Sequence, residues 1–167
     1  MIKKNMSMKQ TIICLSLSLL LFVGCGSKKE VTTAAFHSYE TECLGKSMDG
    51  TQTLKVWASG TDKSDAIEEA KKKAVYEVTF NGITAGTGDC SAYPVIDEPN
   101  ARTKHQAYFD KFFSDGSKYK KYVTLHGQPK DSKEEFQGAG STMYGITVVV
   151  NRSELRKRFV KDKIIKE

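Results

Sequence analysis

The sequence predicts an α+β fold: a two-layer sandwich in which three helices cover a mostly antiparallel four-stranded sheet, formed by residues 36–167 as a single domain. Three observations carry that expectation. Strand-like alternation and helix-like periodicity follow one another in the order strand, strand, helix, loop, helix, strand, strand, helix. The two longer helical segments each carry a single apolar arc, so they bury one face against something flat. Turn chemistry at Asp49–Gly50, Gly60 and Asn81–Gly82 punctuates the first half.

Element by element, "FHSYETECL" alternates weakly and reads as a first strand. After the Asp-Gly turn, "TLKVWAS" alternates cleanly, with Leu54, Val56 and Ala58 on one face and Lys55, Trp57 and Ser59 on the other. Gly60 ends it, and "TDKSDAIEEAKKKAVYEVTFNGI" reads as a helix capped by Asp62 or Ser64. At 100° per residue Ala66, Ile67, Ala70, Ala74 and Val78 share an arc, and three alanines there imply close approach to the layer beneath. Glu68 with Lys72 and Glu69 with Lys73 are spaced i,i+4, and this lysine-rich side reads as a solvated face. Residues 82–100 form a long loop rich in Gly, Thr and Pro, a length associated with functional or mobile segments. A second helix, "ARTKHQAYFDKFF", puts Ala101, His105, Tyr108, Phe109, Phe112 and Phe113 on one arc. "YKKYVTLH" and "TMYGITVVV" read as strands, and "NRSELRKRFVKDKIIKE" as a last helix with an Asn151/Glu154 capping box and an obliquely docked or frayed tail.

The first 35 residues are of another kind. "MIKKNMSMKQ" carries lysines and no acid, and "TIICLSLSLLLFV" is an apolar run too short, at about thirteen residues, for a span that needs roughly 20. Gly24 and Cys25 follow, completing the layout of a secretory signal. "FVGC" resembles the bacterial lipobox, with Phe22 where Leu is usual. That resemblance implies a lipoprotein signal peptide at 1–24, acylation of Cys25, and attachment to a membrane through the lipid anchor; the alternative is an ordinary signal with a chance cysteine. Two or more acyl chains hold a protein stably where one does not. Gly26 after the cysteine, rather than Asp, resembles the outer-membrane sorting pattern. Residues 25–35 read as a flexible tether. The net charge of +6 includes three of the 26 basic residues within that signal; without them 23 basic residues face 20 acidic ones, too small a surplus to argue for nucleic-acid binding.

Gly60, "DAIEEAKKKAV" and the late "YGITVVVNRSELRK" together resemble a group of small envelope domains that includes the N-terminal domain of flagellar assembly protein T, small surface lipoproteins and, more distantly, the curli-secretion lipoprotein. The likeness covers residues 52–81 and 141–160. It implies a non-catalytic interaction or assembly module of the cell envelope with a protein partner there, and it brings no active site to carry over.

Few residues point to chemistry. Cys43 and Cys90 are an exported pair, read as a possible disulfide that would stabilise by roughly 4 kcal/mol, or else as two separate thiols. His37, His105 and His126 are scattered and no Cys-x-x-Cys occurs, so no metal site or cofactor is expected. No Gly-x-Ser-x-Gly elbow is present, and "GITAGTG" lacks the helix that a phosphate loop needs, so no catalytic residue is assigned. If helices cover one sheet face, alternation sends Lys55, Trp57, Lys120, Tyr122 and His126 outward with Met143, Thr147 and Val149. A face carrying the sole tryptophan with Tyr, Met and Lys has the composition of a partner surface, unless the 82–100 loop or the tether lies across it. A small-ligand or glycan site on the loop and this face is the second functional expectation.

Overall fold

A computed structural model describes residues 40–114, 116–127, 135–138 and 141–166. The segments expected to be signal and tether, with Cys25 and His37, lie outside them.

The fold is α+β. In chain order the described elements are β1 (Glu42–Lys46), β2 (Thr51–Ser59), α1 (Lys63–Phe80), β3 (Ala85–Gly86), α2 (Ala101–Lys104), α3 (Gln106–Phe113), a 3₁₀ turn (Lys118–Tyr122), β4 (Val123–Leu125), β5 (Glu135–Gly138), β6 (Ser141–Asn151) and α4 (Arg152–Lys161). The sheet runs β3-β1-β2-β6-β4, and β5 also pairs with β6. Every pairing is antiparallel except β1 with β3, so the sheet is mixed.

Alternation decides which face is buried. Gln52, Leu54, Val56 and Ala58 of β2 point inward, and Leu54 and Val56 sit opposite Val148 and Ile146 of β6. Against this face lies α1, whose Ala66, Ala70 and Ala74 are fully buried. Small side chains let the helix approach the sheet closely, as their spacing implied. Asp62 is the N-cap, accepting from the Asp65 N–H at 2.9 Å, while the Asp65 carboxylate accepts from the Thr61 N–H at 3.0 Å. Gly60 makes the preceding turn possible, since a Cβ there would lie 2.4 Å from the Ala66 nitrogen. Two side-chain pairs on α1 are spaced i,i+3: Lys71 to Glu68 at 2.8 Å and Lys72 to Glu69 at 3.8 Å. Lys120 of the 3₁₀ turn also pairs with Glu68, on its other oxygen.

Three expectations change in detail. Four strands become six, because β3 (two residues) and β5 (four residues) are too short to show alternation. The helix expected over 101–113 is broken at His105 (φ −114°, ψ 32°), which makes four α-helices among the described residues. The strand expected over 119–126 begins only at Val123. Before it the chain winds as 3₁₀, bringing Tyr119 and Tyr122, three apart, to the same side, where Tyr119 stacks near Phe113 and Tyr122 on Phe112. Strict alternation would have put those two rings on opposite faces.

The 82–100 segment is ordered by its own backbone bonds. The Val95 and Ile96 N–H groups donate to the Val78 and Thr79 carbonyls, satisfying orphan acceptors at the end of α1. Gly86, at φ 101°, lets β3 run against β1, since a Cβ there would fall 2.4 Å from the Cys43 carbonyl oxygen. Of the glycines of "GITAGTG", Gly86 and Gly88 thus serve close contact with β1, while Gly82, at φ 77°, closes the end of α1 against the Ala92 carbonyl.

Candidate functional site

The outer face of the sheet, opposite α1, is built by the residues that alternate with the core. One row crosses it as Glu42, Lys55 and Thr147, paired in register, and His126 extends the row by donating its backbone N–H to the Thr147 carbonyl at 3.0 Å. In the next row Trp57 faces Gly145, whose missing side chain leaves room for the indole. The Lys55 ammonium lies 5.0 Å from the Trp57 ring centre, within cation–π range. Both side chains are half-buried, as are Met143, Thr147 and Val149, while His126 is exposed. The Lys73 ammonium reaches the Trp57 carbonyl from α1 at 3.1 Å, tying this stretch of β2 to the helix layer.

Of the residues expected on this face, Lys55, Trp57 and His126 are brought together and two are not. Lys120 pairs with Glu68 of α1, and Tyr122 packs on Phe112, so both belong to the helix side. The reason is the 3₁₀ turn, which has no two-residue alternation to send them outward. Glu68, hydrogen-bonded by Lys120 and then Lys71, has its carboxyl held below the ordinary range.

Cys43 of β1 and Cys90 of the 82–100 segment are joined by a disulfide, with Cα atoms 5.8 Å apart. Cys43 is 1% exposed. The bridge fixes the segment to the β1 edge, and Arg152 holds it further on by donating to the carbonyls of Tyr93 and Pro94 at 3.0 and 3.1 Å.

A concavity that the sequence reading missed lies between α1 and the α2–α3 pair, with a volume of about 480 Å³. Tyr76, Phe109 and Phe113 are its aromatic lining, and Glu69, Lys72, Lys73, Arg102 and Asp110 supply charged groups around them. The Arg102 guanidinium lies 5.4 Å from the Tyr76 ring centre and donates to its hydroxyl at 3.1 Å. The signal available for it was the i,i+4 spacing of Phe109 and Phe113, whose rings lie 6.4 Å apart on one side of α3.

A half-buried polar network joins α3 to the end of α4. The Tyr108 hydroxyl donates to the Asp162 carboxylate at 2.6 Å, and Arg158 Nε donates to the same oxygen at 2.7 Å. Burial and then the Asp162 bond push the Tyr108 hydroxyl well above its ordinary value. Burial alone would raise Asp162, but the bonds from Tyr108 and Arg158 outweigh it and hold the carboxyl low. Among the described residues no group of three His, Cys, Asp or Glu side chains converges to hold a metal ion. Comparison with protein-family models, curated proteins and solved structures finds no match to this chain.

Proposed function

We propose that this protein is a non-catalytic lipoprotein of the cell envelope, anchored through acylated Cys25, whose α+β domain docks a protein partner on the outer sheet face. The observation that carries the docking reading is the Lys55–Trp57 pair, a cation held over the sole tryptophan at 5.0 Å on the face that α1 leaves uncovered. Interfaces are enriched in such amphipathic aromatics, and truncating one at an interface centre costs about 2 kcal/mol or more of binding. The anchor reading rests on the signal layout before Cys25. Fatty-acid labelling in cells tests the anchor: Cys25→Ser is expected to abolish incorporation and release the domain from membranes. Acrylamide quenching of Trp57 fluorescence tests the surface. Efficient quenching, suppressed when partner is added, supports it; an indole that quencher cannot reach in the free protein contradicts it.

A second reading, small-ligand or glycan binding, is favoured by the Tyr76–Phe109–Phe113 concavity, whose aromatic residues are ringed by the charged side chains of Glu69, Lys72, Lys73, Arg102 and Asp110. Thermal stabilisation by a glycan, lost in Tyr76→Ala and retained in Trp57→Ala, would move the assignment there.

A further inference from the structure

Helix α4 ends in a turn that ordinarily asks for glycine. The Ile164 N–H donates to the Phe159 carbonyl at 2.8 Å and the Lys163 N–H to the Val160 carbonyl at 2.9 Å, a Schellman closure that requires a left-handed residue between helix and tail. Lys163 occupies that position, at φ 59°. A lysine is disfavoured there by its Cβ, and such outliers persist where the surrounding structure holds them.

The Lys163 side chain lines a groove of about 970 Å³ between the 94–98 segment, α2 and the C-terminal turn. Val95 and Ile164, both nearly buried, and the half-buried Ile165 supply an apolar wall. Arg156, Lys163 and Lys166 line the same groove, are exposed, and form no ion pair among the described residues. Two carboxylates are also present, but Glu98 is taken by Lys104 at 2.7 Å, which leaves Asp97 against the three cations. Among the described lining residues the balance is therefore a surplus of two positive charges beside an apolar surface.

We propose that this groove binds a phosphate monoester carried on an apolar group. A phosphate monoester bears about −1.5 to −2 at neutral pH, which matches the surplus, and its oxygens accept charge-assisted bonds from Arg156, Lys163 and Lys166. The apolar group lies along Val95, Ile164 and Ile165, in a volume far larger than a bare phosphate fills. The proposal stands apart from the outer-face reading and shares no residue with it.

The test is calorimetric titration of the full chain carrying Cys25→Ser, so that no acyl anchor contributes, with inorganic phosphate and with short-chain phosphatidic acid. The phosphatidic acid is expected to bind at least about tenfold more tightly than phosphate. Lys163→Gly is expected to raise the melting temperature while weakening that binding by about tenfold, and Arg156→Gln to weaken it without unfolding the domain. Because Lys163→Gly relieves the backbone, lost binding in that variant cannot be lost folding. No saturable binding of either probe, or unchanged affinity in both variants, overturns the proposal. Equal affinity for the two probes overturns its apolar half. Flotation with phosphatidic acid vesicles, lost in Lys163→Gly, would identify a membrane lipid as the source; binding of the short-chain form alone would identify a soluble amphiphile.

Discussion

Gln52 points into the core from β2 at 0% exposure, and neither end of its amide finds a hydrogen-bond partner among the described residues. A buried amide left unsatisfied costs about 1–3 kcal/mol, whereas an apolar side chain of similar shape incurs no such loss. Gln52→Leu is therefore expected to raise the unfolding free energy by about 1–2 kcal/mol in urea titration, with the slope unchanged. Lys163→Gly is expected to add about 1 kcal/mol by relieving the left-handed position. Asp162 acts in the opposite sense. Its folded pKa lies below the unfolded one, so its contribution is complete above about pH 4 and is lost as pH falls through the lower folded value. Asp162→Asn should lower stability at pH 7 and flatten the acid limb; parallel acid limbs in the two proteins would contradict the bonding described. Little of this was legible in the sequence. The inward position of residue 52 follows from alternation with Leu54, but nothing in the string says that its amide lacks a partner, or that residue 163 is left-handed.

The elements separate by length. Strands β2 and β6 and helix α1 extend over 9, 11 and 18 residues, long enough for alternation or an apolar arc to repeat and fix both type and buried face. The 101–113 segment shows how a periodic arc can mislead. One non-helical residue at His105 hardly disturbs an arc whose buried members, Ala101, Phe109 and Phe112, still fall on one side. The same chain region carries an aromatic cluster, with Phe112 near Phe159 at 5.4 Å and Phe109 near Phe80 at 4.9 Å. Phe112→Ala is expected to cost about 3–5 kcal/mol by denaturant titration, as for other buried aromatics. The 82–100 segment was read as a loop from its composition; its order comes from bonds to α1, to β1 and through Cys90, none of which is local in sequence. Opening the Cys43–Cys90 bridge by paired serine substitution should lower stability by up to about 4 kcal/mol. Hydrogen exchange at Val95 and Ile96 should quicken first, before the aromatic core loosens. Uniform quickening across the domain would mean that the bridge acts on the whole fold.

At the scale of the whole molecule, the sheet divides the domain chemically. Its inner face and helices hold the core, the outer face carries Lys55, Trp57 and His126, and the Lys163 groove opens at the C-terminal turn. The outer pair Lys55 and Trp57 was legible because β2 alternates without interruption, whereas Lys120 and Tyr122 were misassigned because a 3₁₀ turn does not alternate. Engagement of a protein partner by this outer face, as proposed, can be read by site-specific photo-crosslinking in cells. A photoreactive side chain is introduced at Thr53 or Thr147, on the outer face, or at the exposed Asp110, on the helix side, in otherwise unaltered protein. One discrete crosslinked protein is expected from the first two positions, none from Asp110, and loss of the crosslink when Trp57→Ala or Cys25→Ser is added. Crosslinks that arise equally from Asp110, or that survive Trp57→Ala, would contradict it.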